Sequence, residues 1–375
     1  MSGLRIYSLA ELVHGRANNF TLMRLVAASL VLYAHCYPLG LGKGPSHHDP
    51  LSLWLIPRVG TGIAGLAVDA FFVISGFLIV SSYANRAHLI SFIEARVLRI
   101  YPALWVAVLF TAVVVAGSAT TLPAGEYFSH RQFWDYLLGT GSLLNLQYFL
   151  PGVFADLPWP KGVNGSLWTL PVELMMYGWV GLVGWLGLLH HRAAGNLLLL
   201  VGVLLYLKAP GLTDTAHEAK VADLMLFFGL GGFLFINREQ IPIGFTPLVT
   251  LLALAWVLRT TPYGRLAGFI VFAYGLLFFA YHPALRLPSP DRWGDFSYGI
   301  YIYAFPVQQG LIWLHGGQVT PLGLFAQAFP VVLLMAVASW HLVERPALRL
   351  KGRFPWGRWF EWQRKGEPPV GGGGS

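Results

Sequence analysis

Arg24 and His35 lie in one apolar run, NNFTLMRLVAASLVLYAHCYPLG, eleven residues apart. On a helix of 3.6 residues per turn that is close to three full turns, so both side chains share a face about 16 Å apart along the axis. Such a pair can line one cavity, with the guanidinium at its mouth and the imidazole deep inside. It equally suits an arginine that snorkels to headgroups and a histidine hydrogen-bonded at an interface. Asp69 interrupts a second apolar run, GLAVDAFFVISGFLIVSSY, where a carboxylate is costly and wants a cationic partner. Ser75 and Gly76 in that run form a small-residue notch, open to a second backbone or a thin ligand. In EARVLRIYPALW, Arg96 and Arg99 fall at i and i+3 on one face. Two guanidinium forks aimed at one spot suit phosphate or pyrophosphate, and basic residues at a cytoplasmic mouth also follow the positive-inside rule. Glu173, in NGSLWTLPVELMMYGW, can orient a catalytic histidine, bind sugar hydroxyls or hydrogen-bond a helix broken at Pro171. Trp168 offers a face to a sugar ring or belongs to an aromatic belt. Tyr298, Tyr301 and Gln308 are interior polar residues of a later run, and Glu344 and Arg345 read as interfacial charges where the last run ends.

Other chemistries have no motif. There is no Walker A loop, dinucleotide fingerprint, H-E-x-x-H or G-x-S-x-G elbow. One cysteine, Cys36, excludes an intramolecular disulfide and a cysteine-built metal site. His47, His48 and Asp49 read as a solvated polar loop rather than a metal site, so no metal is expected.

These side chains need a scaffold that tolerates lipid. Hydrophobic residues make up 55% of the chain and charged ones only 11%, with a mean hydropathy of +0.58. A soluble domain carries roughly 25% charged residues, so the expected fold is all-α, a polytopic membrane bundle. A span needs about 20 mostly apolar residues. About ten candidates occur, at 20–40, 59–82, 100–118, 166–188, 195–209, 222–236, 243–258, 266–282, 296–315 and 321–343. Region 136–155, broken by Gly139, Gly141, Asn145, Pro151 and Gly152, reads as a re-entrant or interfacial segment. The mostly polar residues before the first run argue against a cleavable leader. Residues 1–17 form an N-terminal segment, 18–350 the bundle and 351–370 a polar tail; 371–375, Gly-Gly-Gly-Gly-Ser, reads as a linker without functional meaning. Placing both termini in the cytoplasm puts sixteen basic residues inside and eight outside, the orientation the positive-inside rule favours. The net charge of +8 then faces anionic headgroups, and no nucleic-acid partner is needed.

Taken in order, several motifs resemble the integral-membrane acyltransferase-3 family. They are N-x-x-x-x-R with a distant His (Asn19, Arg24, His35), V-D-x-F-F-V-I-S-G-F-L (Val68 to Leu78) and R-x-x-R-I-x-P (Arg96 to Pro102). S-L-W-T-L-x-V-E (Ser166 to Glu173), S-Y-x-x-Y (Ser297 to Tyr301) and E-R-P (Glu344 to Pro346) complete the set. One departure is Ala304, where many members carry His. The resemblance implies transfer of an acyl group, commonly acetyl, from a cytoplasmic acyl-CoA to a hydroxyl of a glycan, an exopolysaccharide or a lipid-linked sugar. It implies acetyl-CoA or another acyl-CoA as co-substrate and a bacterial inner-membrane location. Arg24, Arg96 and Arg99, with Ser75 and Gly76, would then take the donor. His35 would act as general base, with Glu173 and Asp69 in the catalytic set, and Trp168, Tyr298 and Tyr301 would meet the acceptor. A neutral imidazole, reference pKa about 6.5, can take the hydroxyl proton as attack begins. A transporter or flippase for a lipid-linked or anionic substrate also needs interior charges, but more often shows inverted repeats, and none is visible.

Overall fold

A computed structural model describes residues 5–13, 17–85, 88–208 and 215–353. Arg16, Arg86 and the tail from 354 onward, with the basic residues counted there and the linker, lie outside the described residues. Among the described residues, ten helices of at least fourteen residues coincide with the ten apolar runs. They are α1 (Phe20–Leu41), α2 (Ile63–Ala84), α3 (Leu89–Ala119), α4 (Thr169–Trp185), α5 (Arg192–Lys208), α6 (Ala216–Ile236), α7 (Phe245–Leu258), α8 (Gly264–Tyr281), α9 (Ser297–Leu314) and α10 (Pro321–Leu348). The result is an all-helical polytopic bundle. Six of them, α1, α2, α3, α6, α8 and α10, are long and apolar enough to cross a membrane by themselves. α4 and α5 have 17 residues and α7 has 14; α9 has the length but carries three tyrosines and two glutamines.

Two stretches differ from the expectation. The third span begins at Leu89 rather than near 100, because His88 accepts a hydrogen bond from Ser91 N at 3.3 Å and caps the helix. It passes through a π-helical stretch at Phe110–Val115 before ending at Ala119. Arg96 and Arg99 therefore sit on one helix face as expected, but about two and three turns inside the helix rather than at its mouth. In region 136–155, a helix at Arg131–Ser142 gives way to irregular chain, and Phe149 bridges Gly162.

The two ends of the bundle are organised by their connections. The strand Tyr7–Ser8 pairs antiparallel with Pro242–Ile243, which sets the N-terminal segment on the α6–α7 connection beside Arg238. Gly352 N donates to Glu94 Oε1 at 2.8 Å, so the chain leaving α10 lies near the start of α3. At the opposite end, the Lys43 ammonium stands 4.7 Å from the Trp159 ring. Segments that the basic residues assign to one side thus gather at one end of the bundle.

α2 packs along α6 through two reciprocal glycines. A Cβ on Gly76 would stand 2.0 Å from the Phe228 carbonyl oxygen, and one on Gly231 would stand 2.1 Å from that of Val73. The notch at Gly76 is filled by a second backbone. Gly76→Ala and Gly231→Ala should each cost about 1–3 kcal/mol by overpacking, read as a lower thermal unfolding midpoint in detergent. Wild-type midpoints for both variants would mean that these backbones do not touch.

Candidate active site

A cavity of about 150 Å³ lies between α1, α2, α3, α4 and α9. Its walls carry Arg24, Ser75, Arg96, Arg99, Glu173, Tyr298 and Tyr301, which the sequence had singled out on five separate runs. Thr169, Tyr177 and Ser297, which sequence reasoning passed over, line it as well.

The arginine end is an ion network. Asp295, in the connection before α9, takes Arg99 at 2.6 Å and Arg24 at 3.3 Å, and Arg99 also reaches Glu344 at 3.2 Å. Burial alone would raise the Asp295 carboxyl. The guanidiniums of Arg24 and Arg99 outweigh it, helped by hydrogen bonds from Ser297, and hold the group near a pKa of about 2. Glu344 is buried in a π-helical turn of α10, with Ser339 Oγ donating to it at 3.0 Å. Arg96 is placed differently. Its guanidinium lies 5.8 Å from the Phe92 ring and 5.7 Å from the Tyr177 ring, and its buried Nε has no hydrogen-bond partner. Among the described residues no carboxylate forms an ion pair with it. The Nε of Arg24 is likewise unpartnered. The cavity thus keeps cationic donors in reserve, which suits an anion with several oxygens.

Glu173 accepts hydrogen bonds from Tyr177 Oη and, at 3.4 Å, from Ser75 Oγ. None of its contacts is with His35. Tyr298 Oη donates to Ile100 O at 2.9 Å beneath Arg99, and Tyr301 Oη bonds Ser166 O and Thr169 Oγ1, both at 2.7 Å. Asp69 and Trp168 stand outside the cavity walls. Asp69 takes Lys220 of α6 at 2.7 Å, the cation its position required, and the Trp168 ring meets His217 edge-on at 5.2 Å.

His35 does not line the cavity. Its ring packs edge-on against Phe305, with centroids 5.9 Å apart, and its buried Nδ1 has no partner. Phe305 is one turn beyond Tyr301 on α9, so the imidazole lies one helical turn past the end of the cavity. Beside it runs the chain from Trp159 to Ser166, held by Gln309 Nε2 on Trp159 O and Gly162 O, at 3.0 and 2.7 Å. Ser166 Oγ and Gln309 Oε1 are also buried without partners. Cys36, next to His35, is turned into the core, where Gln308 Nε2 approaches its Sγ at 2.9 Å. In the loop that follows, Asp49 Oδ1 accepts from Ser52 N at 2.9 Å and caps a short helix.

Residues 18–343 match the family described as an acyltransferase domain. The chain belongs to this acyltransferase family. The O-acetyl transferase of Shigella phage Sf6 is 29% identical to it over 346 residues, 88% of this chain and 96% of that protein. Nodulation protein 10 of Rhizobium leguminosarum bv. viciae is 29% identical over 372 residues, covering 90% and 95%. The exopolysaccharide production protein ExoZ of Rhizobium meliloti (strain 1021) is 29% identical over 317 residues, covering 78% and 91%. No solved structure matches.

In this acyltransferase Asp295 is the anion shared by two partly buried arginines. Asp295→Asn should cost about 1–3 kcal/mol, the range for weakening hydrogen bonds to charged groups, measured as a lower unfolding midpoint. The folded-state pKa lies below the ordinary 3.8, so this stabilisation is complete above that value and lost as pH falls toward about 2. The gap between wild type and variant should stay constant from about pH 8 to about pH 5 and close below about pH 4. A gap that narrows already between pH 8 and 5 would place the Asp295 pKa far higher.

Proposed function

We propose that this chain is a membrane O-acyltransferase that moves an acyl group, acetyl in the simplest case, from a cytoplasmic acyl-CoA to a hydroxyl of an extracytoplasmic glycan. The observation that carries the reading is the placement of three arginines from two helices around one cavity whose far end stops a single turn short of His35. The phage relative is an O-acetyl transferase and one rhizobial relative is an exopolysaccharide production protein; both names suit an acetyl donor and a polysaccharide acceptor.

In this reading the donor's phosphates sit against Arg96, with the free edges of Arg24 and Arg99 nearby. Its acyl-bearing arm runs along Ser75, Thr169 and Tyr301, with Tyr298 at the arginine end. The proton-accepting nitrogen of His35 takes the proton of the acceptor hydroxyl as its oxygen attacks the thioester carbonyl. The tetrahedral intermediate collapses by breaking the carbon–sulfur bond, and the departing thiolate takes the proton back. Ser166 Oγ, buried without a partner on the same side of α9 as the Phe305 contact, is a donor within the region where the oxyanion forms. Glu173, with Tyr177 and Ser75, shapes the arm's channel, and Asp69 braces the wall through Lys220. Gly76 serves the same wall from its other side.

His35→Ala should abolish CoA release from acetyl-CoA and glycan while the protein elutes as wild type, and Cys36→Ser should stay active. Turnover by His35→Ala at the wild-type rate would remove the histidine from the reaction. Arg96→Ala should weaken acyl-CoA binding at least about tenfold, with only partial rescue by Lys, which lacks the planar fork. Full affinity in the Lys variant would reduce Arg96 to a point charge.

The proposed orientation puts both termini, Arg96 and Arg238 in the cytoplasm of a bacterial inner membrane and Lys161 outside. Single cysteines at Lys161 and Arg238, in a Cys36→Ser background, test it in intact cells. An impermeant maleimide should label position 161 and miss position 238; the reverse pattern would make the acceptor cytoplasmic.

A further inference from the structure

α4 is a partition between two compartments. Thr169, Leu170, Glu173 and Tyr177 face the arginine cavity, while Met176, Trp179, Val180 and Val183 line a larger space on the helix's other side. That space, about 490 Å³, is a groove between α4, α5 and α6 walled almost wholly by aliphatic and aromatic groups. Leu198, Val201 and Leu205 on its rim are exposed, so it opens sideways to the hydrocarbon of the bilayer. Four glycines lie on its walls, Gly195, Gly202, Gly229 and Gly232, and Gly202 faces open space, with nothing within 4 Å of a Cβ built on it.

Polar groups gather at both ends of the groove, the Asn196–Asn237 and Arg192–Glu239 pairs at one and a cluster around Tyr206 at the other. Tyr206 lines it there and donates to Asp223 at 3.0 Å, and Arg265 pairs with Asp223 through Nη2 at 2.7 Å. Lys220, one turn before Asp223 on α6, spends one of its N–H groups on Asp69. Two further N–H groups of Lys220, and Nε and Nη1 of Arg265, have no protein acceptor among the described residues, and the Arg265 side chain is 61% exposed. Glu218 at this end is engaged in the cap of α6. The first turn of α6 also carries His217, whose ring meets Trp168, and Trp168 directly precedes the Thr169 of the arginine cavity.

We propose that the groove seats the hydrocarbon tail of a lipid-linked sugar, its phosphate held by Lys220 and Arg265 and its sugar directed past His217 and Trp168 toward His35. An apolar slot that opens into lipid selects a chain, the free cationic donors at its end select a phosphate, and the aromatic pair beyond them suits a sugar face. The shared wall of α4 sets such a headgroup next to the catalytic side of the same helix. The proposal rests on the acyltransferase reading for its acceptor and makes that acceptor membrane-anchored rather than free.

Binding can be read without turnover, by native mass spectrometry of the full chain in detergent. The probes are a short polyprenyl diphosphate bearing one sugar, the same sugar as its methyl glycoside, and phosphatidylglycerol. The wild type should retain the polyprenyl-linked sugar against excess phosphatidylglycerol and release the methyl glycoside. Gly202→Trp, which fills the slot, should lower retention of the lipid-linked probe at least about tenfold while acetyl-CoA still binds, which shows an intact bundle. Arg265→Gln should weaken the diphosphate probe and leave a polyprenyl alcohol unchanged. Displacement of the probe by an equal amount of phosphatidylglycerol would overturn the proposal and make the groove a structural lipid site. Wild-type retention by Gly202→Trp would overturn it too. Absence of CoA release with every acceptor would instead defeat the transferase reading, whatever these binding experiments show.

Discussion

The carboxylate of Asp295 holds the arginine end of this bundle together. Arg24 on α1 and Arg99 on α3 are charged side chains within apolar helices, each expensive in hydrocarbon unless it finds an anion. Asp295 meets both, and Glu344 adds a second carboxylate to Arg99. One short connection before α9 therefore fixes the lateral positions of α1, α3 and α9, with α10 tied in through its π-helical turn. Such turns gather at functional sites because they re-aim a side chain that a regular helix would point elsewhere. Once Arg24 and Arg99 are braced, Arg96 is left without a direct ion pair, balanced only at longer range by Glu173 and beside Tyr177. The cavity gives a ligand or water access to its remaining donors.

α9 carries this order from the arginine end to His35. Thirteen of its eighteen residues are buried, so its polar groups must bond to protein. Tyr301 holds Ser166 O and Thr169; one turn on, Phe305 backs the His35 ring. Gln308 takes Leu32 O, and Gln309 takes the chain around Trp159 and Gly162. Asn164 returns the bond, donating to Ile302 O at 3.0 Å. A single buried helix thus sets the cavity, His35 and the Trp159–Ser166 chain in register. Its low hydropathy as a span follows from that duty.

Much of this was legible in the sequence, for a physical reason: charges are rare in apolar runs, so Arg24, Arg96, Arg99, Glu173 and Asp69 stand out. The helix periodicity that put Arg24 and His35 on one face also holds. The partners of these charges were harder to read. Asp295 lies in a polar connection, where a carboxylate costs nothing and draws no notice. Glu344 sits at a helix end that normally faces headgroups, and only the π-helical turn brings it inward. The start of α3 was set too late because Arg96 and Arg99 depress local hydropathy, although His88 had already capped the helix. Gly76 was open to two readings, and only the approach of Phe228 O decides that a backbone fills the notch. Ala304, where the family commonly has His, has 1% exposure and belongs to the buried core.

The irregular chain packed against α9 is held by strained backbone. Three non-glycine residues, Leu143, Phe154 and Lys161, hold positive φ angles of 61°, 56° and 63°, each a strained conformation that persists only when surrounding contacts over-determine it. Around Lys161 the strain is tightest, since Gly162 N closes a three-residue turn on Pro160 O at 2.8 Å. Gln309 grips both sides of that turn, and the Phe305 ring fills the space beside Gly162 and Gly165. A regular helix here would satisfy its own backbone and leave no polar atoms for a ligand. The irregular chain does the opposite, and its carbonyls are held by α9 while Ser166 Oγ and His35 Nδ1 remain unpartnered. The strain is the cost of keeping hydrogen-bonding groups unspent at the edge of an apolar bundle, close to the His35 ring.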